Sequence, residues 1–150
     1  MNNNASSARI LTYSGAIPFV MIAVLAVTGP LETASFDARH VLLIYSALIV
    51  SFLAGMHWHI ALTQEDAPRH LMLLTNAFVL AAWGTVFISF SFISWFIFAL
   101  LMVKLLAIDR LLLRAELLPP WFYTLRRHVS LIVVISLMVV GYHDALAFDL

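Results

Sequence analysis

The chemistry this chain could perform sits in a few polar side chains embedded in apolar sequence. The run Gly55-Met56-His57-Trp58-His59 places two imidazoles and an indole within Val41–Thr63, a stretch without formal charge. Imidazole ionises near neutral pH, so a histidine held in an apolar segment can handle protons or bind a ligand. His57 and His59 lie roughly 200° apart around a helix, so they face different neighbours and cannot chelate one metal together. Ala47, Ser51, Gly55 and His59 recur every fourth residue and share a face on which small side chains admit a neighbouring backbone. Asn76, Lys104 and Asp109 stand in two further apolar stretches. For each of these groups a bland reading competes with the chemical one. The histidines serve as packed hydrogen-bonding groups, Lys104 snorkels to the membrane edge, and Asp109 pairs with Arg110 and Arg114 on the surface. In the sharper reading Asp109 turns inward to meet His59, Asn76 or Lys104, because a carboxylate in lipid requires a partner.

Other chemistries find less support. His40, His143 and Asp144 could assemble a divalent-metal site, but they also suit a membrane edge, and no metal is expected. Haem with two histidine ligands needs facing imidazoles at matched depth on different helices, which one chain does not offer. No cofactor is therefore expected. The chain has no cysteine, hence no disulfide or thiolate. No phosphate-cradling glycine loop, metalloprotease pair or serine–histidine elbow is present, so an enzyme is not expected.

The elements that position these groups follow from composition. The 150 residues are 63% hydrophobic and 11% charged, with eight Lys/Arg against eight Asp/Glu. A soluble domain usually carries about 25% charged residues, so this chain cannot build a water-facing surface. Zero net charge gives no reason to expect nucleic-acid binding. A spanning helix needs roughly 20 apolar residues. Such stretches fall at about 10–28, 41–63, 71–88, 94–113 and 129–142. The long run from Leu71 to Val103 must fold back on itself, and Ser89-Phe90-Ser91-Phe92-Ile93-Ser94 supplies the turn. Gly29-Pro30 and Pro119-Pro120 end helices, and Pro18 kinks the first one. The first stretch is longer than the apolar core of a cleaved signal peptide and is expected to be retained. The expected architecture is all-α, a single five-helix transmembrane bundle.

Five crossings place Arg9, Arg69, Lys104, Arg110, Arg114, Arg126 and Arg127 on one side and Arg39 on the other. The positive-inside rule then puts the N-terminus inside and the C-terminus outside. His57, His59, Asn76, Lys104, Asp109, Tyr13 and Ser14 all fall toward the inner leaflet. Trp58, Trp121, Phe122 and Tyr123 suit an inner aromatic belt, and Phe90, Phe92 and Trp95 an outer one.

Gly15-Ala16-Ile17-Pro18-Phe19, Ser51 through Trp58, Asp109-Arg110, Leu117 through Phe122 and Leu125-Arg126 together resemble the domain of unknown function 3429 family, which includes the transmembrane protein 69-like proteins. The likeness covers most of the chain, and the small-residue, histidine and tryptophan run of the second stretch is its most specific part. It implies a compact multi-span protein of bacterial or mitochondrial inner membranes and brings no established activity. Gly15, Pro18, Gly55, His57, Trp58, Asp109, Arg110, Pro119 and Trp121 match the pattern, while His59 fits it less clearly.

Two functions follow as expectations. The first is a non-enzymatic accessory or assembly protein of the bacterial inner membrane, surrounded by lipid and associated with other membrane proteins or with copies of itself. The alternative is a ligand-, metal- or proton-handling protein whose site lies at His57, Trp58, His59, Asn76, Lys104 and Asp109.

Overall fold

The structure, a computed structural model, describes residues 3–29, 32–33, 36–88 and 92–148. It is a bundle of five helical rods. The first rod is broken into α1 (Asn3–Ser14) and α2 (Ile17–Thr28). Its cause is Pro18, which has no N–H to offer and whose ring crowds the carbonyl one turn earlier. The proline therefore occupies the first turn of a new helix, where it is tolerated. The Tyr45 hydroxyl donates to the Gly15 carbonyl in the break, at 2.9 Å.

A two-residue antiparallel clasp, β1 (Glu32–Thr33) with β2 (Phe36–Asp37), leads into α3 (Ala38–Thr63). Asp37 caps α3 by accepting from the backbone N–H groups of Arg39 and His40, at 2.9 and 3.2 Å. α4 (Leu71–Val86) and α5 (Phe92–Arg114) follow. Of the serine-rich turn expected between them, Ser89, Phe90 and Ser91 lie outside the described residues. Ser94 donates its hydroxyl to the Ile88 carbonyl at 3.2 Å, tying the start of α5 to the end of α4.

α5 closes in a Schellman motif. Glu116 takes the left-handed conformation (φ 60°), its N–H bonds to Leu113, and the Leu117 N–H reaches back to Leu112 at 2.9 Å. Leu117 packs in the apolar cluster that holds Leu112, the contact this motif favours. α6 (Pro120–Phe148) then begins at Pro120, nine residues before the stretch expected from hydropathy, because proline fits the first position of a helix.

Three helices carry buried seams at coiled-coil spacing. On α5 the seam is Trp95, Phe98, Met102, Leu105, Asp109 and Leu112. On α6 it is Arg126, Ser130, Val133, Leu137, Val140 and Asp144. On α3 it runs through Leu43, Ser46, Val50, Leu53, His57 and Ile60. α5 is central. It packs on α6, α3 and α4, while α2 packs on α6. Gly141 lets α6 approach Trp95, since a Cβ there would stand 3.2 Å from the Trp95 Cβ.

The outside of the bundle is apolar. Ile10, Leu48, Phe52, Leu73, Trp83, Phe96, Leu131 and Tyr142 are all exposed. Among the described residues three rods are long and apolar enough to cross a membrane, Ser6–Thr28, Ala38–Thr63 and Pro120–Leu146, and α4 is a shorter apolar helix.

Candidate functional site

The seam of α6 finishes in an ionisable group at each end, Arg126 and Asp144, and near each end of the bundle a buried carboxylate lies between two partners. At one end Asp109 of α5 is fully buried. His57 of α3, also fully buried, places Nε2 2.7 Å from Asp109 Oδ1. Since the carboxylate can only accept, Nε2 carries the proton of this bond. Arg126 of α6, 5% exposed, donates through Nε to Asp109 Oδ2 at 3.1 Å. Three helices thus converge on one carboxylate. Arg126 and Asp109 offset each other's charge, which is the condition under which such groups can be buried at all.

Two polar atoms of this cluster are left over. His57 Nδ1 and Arg126 Nη2 are buried without a hydrogen-bond partner. An unmet buried donor or acceptor costs about 1–3 kcal/mol, more when it is charged.

The guanidinium lines a cavity of about 670 Å³, within the range of about 300–1,000 Å³ typical of small-molecule sites. Its walls come from α1 and the helix break (Leu11, Thr12, Gly15), α3 (Ser51, Phe52, Gly55), α5 (Met102) and α6 (Phe122, Arg126, Ser130). The lining is overwhelmingly apolar. Thr12 and Ser51 spend their hydroxyl protons on carbonyls one turn earlier, at 2.7 and 2.9 Å. Leu11 and Phe52 are 71% and 75% exposed, so the cavity opens sideways between α1 and α3.

The other end has a different character. Asp144 of α6, 2% exposed, meets Arg39 of α3 at 2.6 Å and the indole N–H of Trp95 at 2.5 Å. Arg39 is a quarter exposed, so this cluster is a half-wet clamp, and none of its three residues lines the 670 Å³ cavity. The two clusters lie about 27 Å apart along α3 and α6, and about 21 Å apart along α5, at about 1.5 Å per residue. That span approaches the roughly 30 Å of a bilayer's hydrocarbon core.

The polar residues expected to share one site therefore divide. His57 and Asp109 meet. Trp58 (41% exposed), His59, Asn76 and Lys104 point to the outside of the bundle. Asp109 does turn inward, but its partners are His57 and Arg126 rather than His59, Asn76 or Lys104. The small-residue face of α3 splits as well. Ala47 packs against the core, whereas a Cβ on Gly55 would meet nothing within 4 Å, and Ser51 and Gly55 line the cavity. At Gly55 the face receives no neighbouring backbone. Trp95, expected in an interfacial belt, is buried on Asp144 instead. Among the described residues no group of three His, Cys, Asp or Glu gathers as a metal site.

Arg126 is the member of this cluster that, from sequence, counts only among the inside charges and in the family-like motif, not among the candidate site residues. A signal existed. Arg126, Ser130, Val133, Leu137, Val140 and Asp144 follow each other at alternating spacings of four and three, so both charges share the buried stripe of α6.

An all-α membrane bundle with a buried His–Asp–Arg cluster beside a side-opening apolar cavity is the class of protein these features define. Within that class the chain belongs to the family described as protein of unknown function DUF3429, which matches residues 4–142. Neither a curated protein nor a solved structure matches it.

Proposed function

We propose that this protein is a non-enzymatic, ligand-handling protein of the bacterial inner membrane. It crosses the bilayer five times, with the N-terminus in the cytosol and the C-terminus outside. The positive-inside bias supports that orientation, and it places the His57–Asp109–Arg126 cluster in the cytoplasmic leaflet. The ligand enters from the lipid phase through the gap between α1 and α3 and seats its polar part at Arg126. One observation carries this reading: Arg126 Nη2, a charged donor that is buried and unpartnered, belongs to a side chain lining an otherwise apolar cavity. A purely structural ion pair would spend its donors on the bundle.

The accessory or assembly role rests on the exposed apolar surface, which lipid covers as well as a partner would. The cavity and the spare donor favour the ligand-handling reading over it. Neither role requires a nucleophile.

The test uses the full chain purified from native membranes in mild detergent, with bound lipids extracted and weighed by mass spectrometry. A stoichiometric amphiphile is expected. It is lost from Gly55→Phe, which fills the cavity without touching the cluster, while that variant keeps its helical circular dichroism. A wild-type protein that carries only the bulk lipid mixture, unchanged by Gly55→Phe, refutes the proposal.

A further inference from the structure

We infer that the cavity selects an uncharged amphiphile whose head presents a carbonyl oxygen, as a quinone or an ester does. This rests on the reading of the cavity as a ligand site and specifies what that site accepts.

Charge accounting at the cluster carries the inference. Asp109 has both oxygens occupied, by His57 Nε2 and Arg126 Nε. Its negative charge offsets the guanidinium, so the cavity is lined by one member of a net-neutral pair, whose guanidinium keeps N–H donors beyond the Nε one spent on Asp109. His57 stands behind Arg126 and does not line the cavity. No lysine or second arginine lines it either.

A carboxylate or phosphate entering here would add a full negative charge in a largely apolar chamber, a few ångströms from Asp109, with no unspent positive charge to receive it. Burying such a charge is expensive unless it is paired. A carbonyl oxygen accepts from the guanidinium at no cost in net charge. Its hydrocarbon tail lies along Leu11, Phe19, Phe52 and Val133, where burial of apolar surface favours it. Thr12 and Ser51, also on the wall, have committed their hydroxyl protons to backbone carbonyls. Arg126, with the Ser130 hydroxyl one turn further along the α6 wall, is therefore available to hold the head.

The experiment measures binding to the full chain in lipid nanodiscs of uncharged phosphatidylcholine, with three probes of similar tail length. These are a pentadecyl-substituted benzoquinone, methyl palmitate and palmitate. The quinone, the ester or both bind, and palmitate binds at least about tenfold more weakly than the better of the two. Which neutral probe wins distinguishes a quinone head from an ester head. The charge-balanced variant Asp109→Asn/Arg126→Gln removes the donor without stranding a charge, and it weakens the neutral probe by about tenfold or more. Gly55→Phe abolishes binding of every probe.

Palmitate binding as tightly as the neutral probes, with loss in both variants, overturns the uncharged-head inference and leaves the cavity reading standing. Binding of no probe, or binding untouched by Gly55→Phe, overturns both. Should the double variant lose its fold, the ratio of neutral to anionic probe on wild type still decides.

Discussion

Asp109→Asn is the substitution that tests the cluster most directly. It removes one negative charge at a fully buried position and leaves the side chain almost the same size. The asparagine can still accept one hydrogen bond, but its amide nitrogen must then face either the His57 Nε2 proton or the Arg126 Nε proton, donor against donor. Arg126, 5% exposed, is left with a stranded charge. Breaking a buried ion pair from one side costs about 3–5 kcal/mol. Hydrogen bonds between membrane helices average only about 0.6 kcal/mol, because the unfolded chain in lipid also finds partners. Most of the loss is therefore the stranded charge and not the bonds. The double variant Asp109→Asn/Arg126→Gln strands nothing, so it should be more stable than Asp109→Asn alone. The measurement is denaturation of the purified protein in mixed micelles with increasing sodium dodecyl sulfate, followed by helical circular dichroism. Two results refute the reasoning. One is an Asp109→Asn protein as stable as wild type, which means that water reaches the cluster. The other is a double variant whose loss equals or exceeds the sum of the single losses, which means that charge balance is not what holds it.

The same unfolding assay checks three further expectations. Glu116→Gly relieves a left-handed residue in the turn after α5 and should stabilise the fold by up to about 1 kcal/mol; a loss instead means that the Glu116 side chain makes a contact worth more than the strain. Gly141→Val thrusts a branched side chain at Trp95, already 3.2 Å from a bare Cβ, and should cost about 1–3 kcal/mol, whereas Gly55→Leu, with open space around its Cβ, should leave stability within about 0.5 kcal/mol. Tyr45→Phe removes the hydroxyl that meets the Gly15 carbonyl and should cost about 0.5–1.5 kcal/mol; no change means that the helix break needs no such partner. Topology is checked separately. A phosphatase reporter fused to the C-terminus should be active and one fused to the N-terminus inactive, and equal activity at both ends removes the five-crossing scheme.

The chain's own sequence settles its medium and most of its helices. So few charges and such long apolar runs admit only a lipid-facing bundle, and Gly29, Pro119 and Pro120 punctuate it where backbone chemistry demands. The special status of His57 is legible in the same way, as a titratable group inside a stretch that tolerates none without a purpose. Hydropathy misplaces the start of α6, because a helix stabilised by an N-terminal proline and by packing continues through polar residues that a lipid scale excludes. The choice among His57, His59, Asn76, Lys104 and Arg126 as companions for Asp109 belongs to the tertiary structure. All are polar and all fall near one end of the bundle, so depth along the helix cannot separate them. What separates them is rotation about each helix axis, fixed by how the seams of α3, α5 and α6 interlock around Trp95, Gly141 and Leu105. That packing turns Arg126 inward and His59 and Lys104 outward. It also leaves Gly55 facing the cavity, with open space where a Cβ would stand.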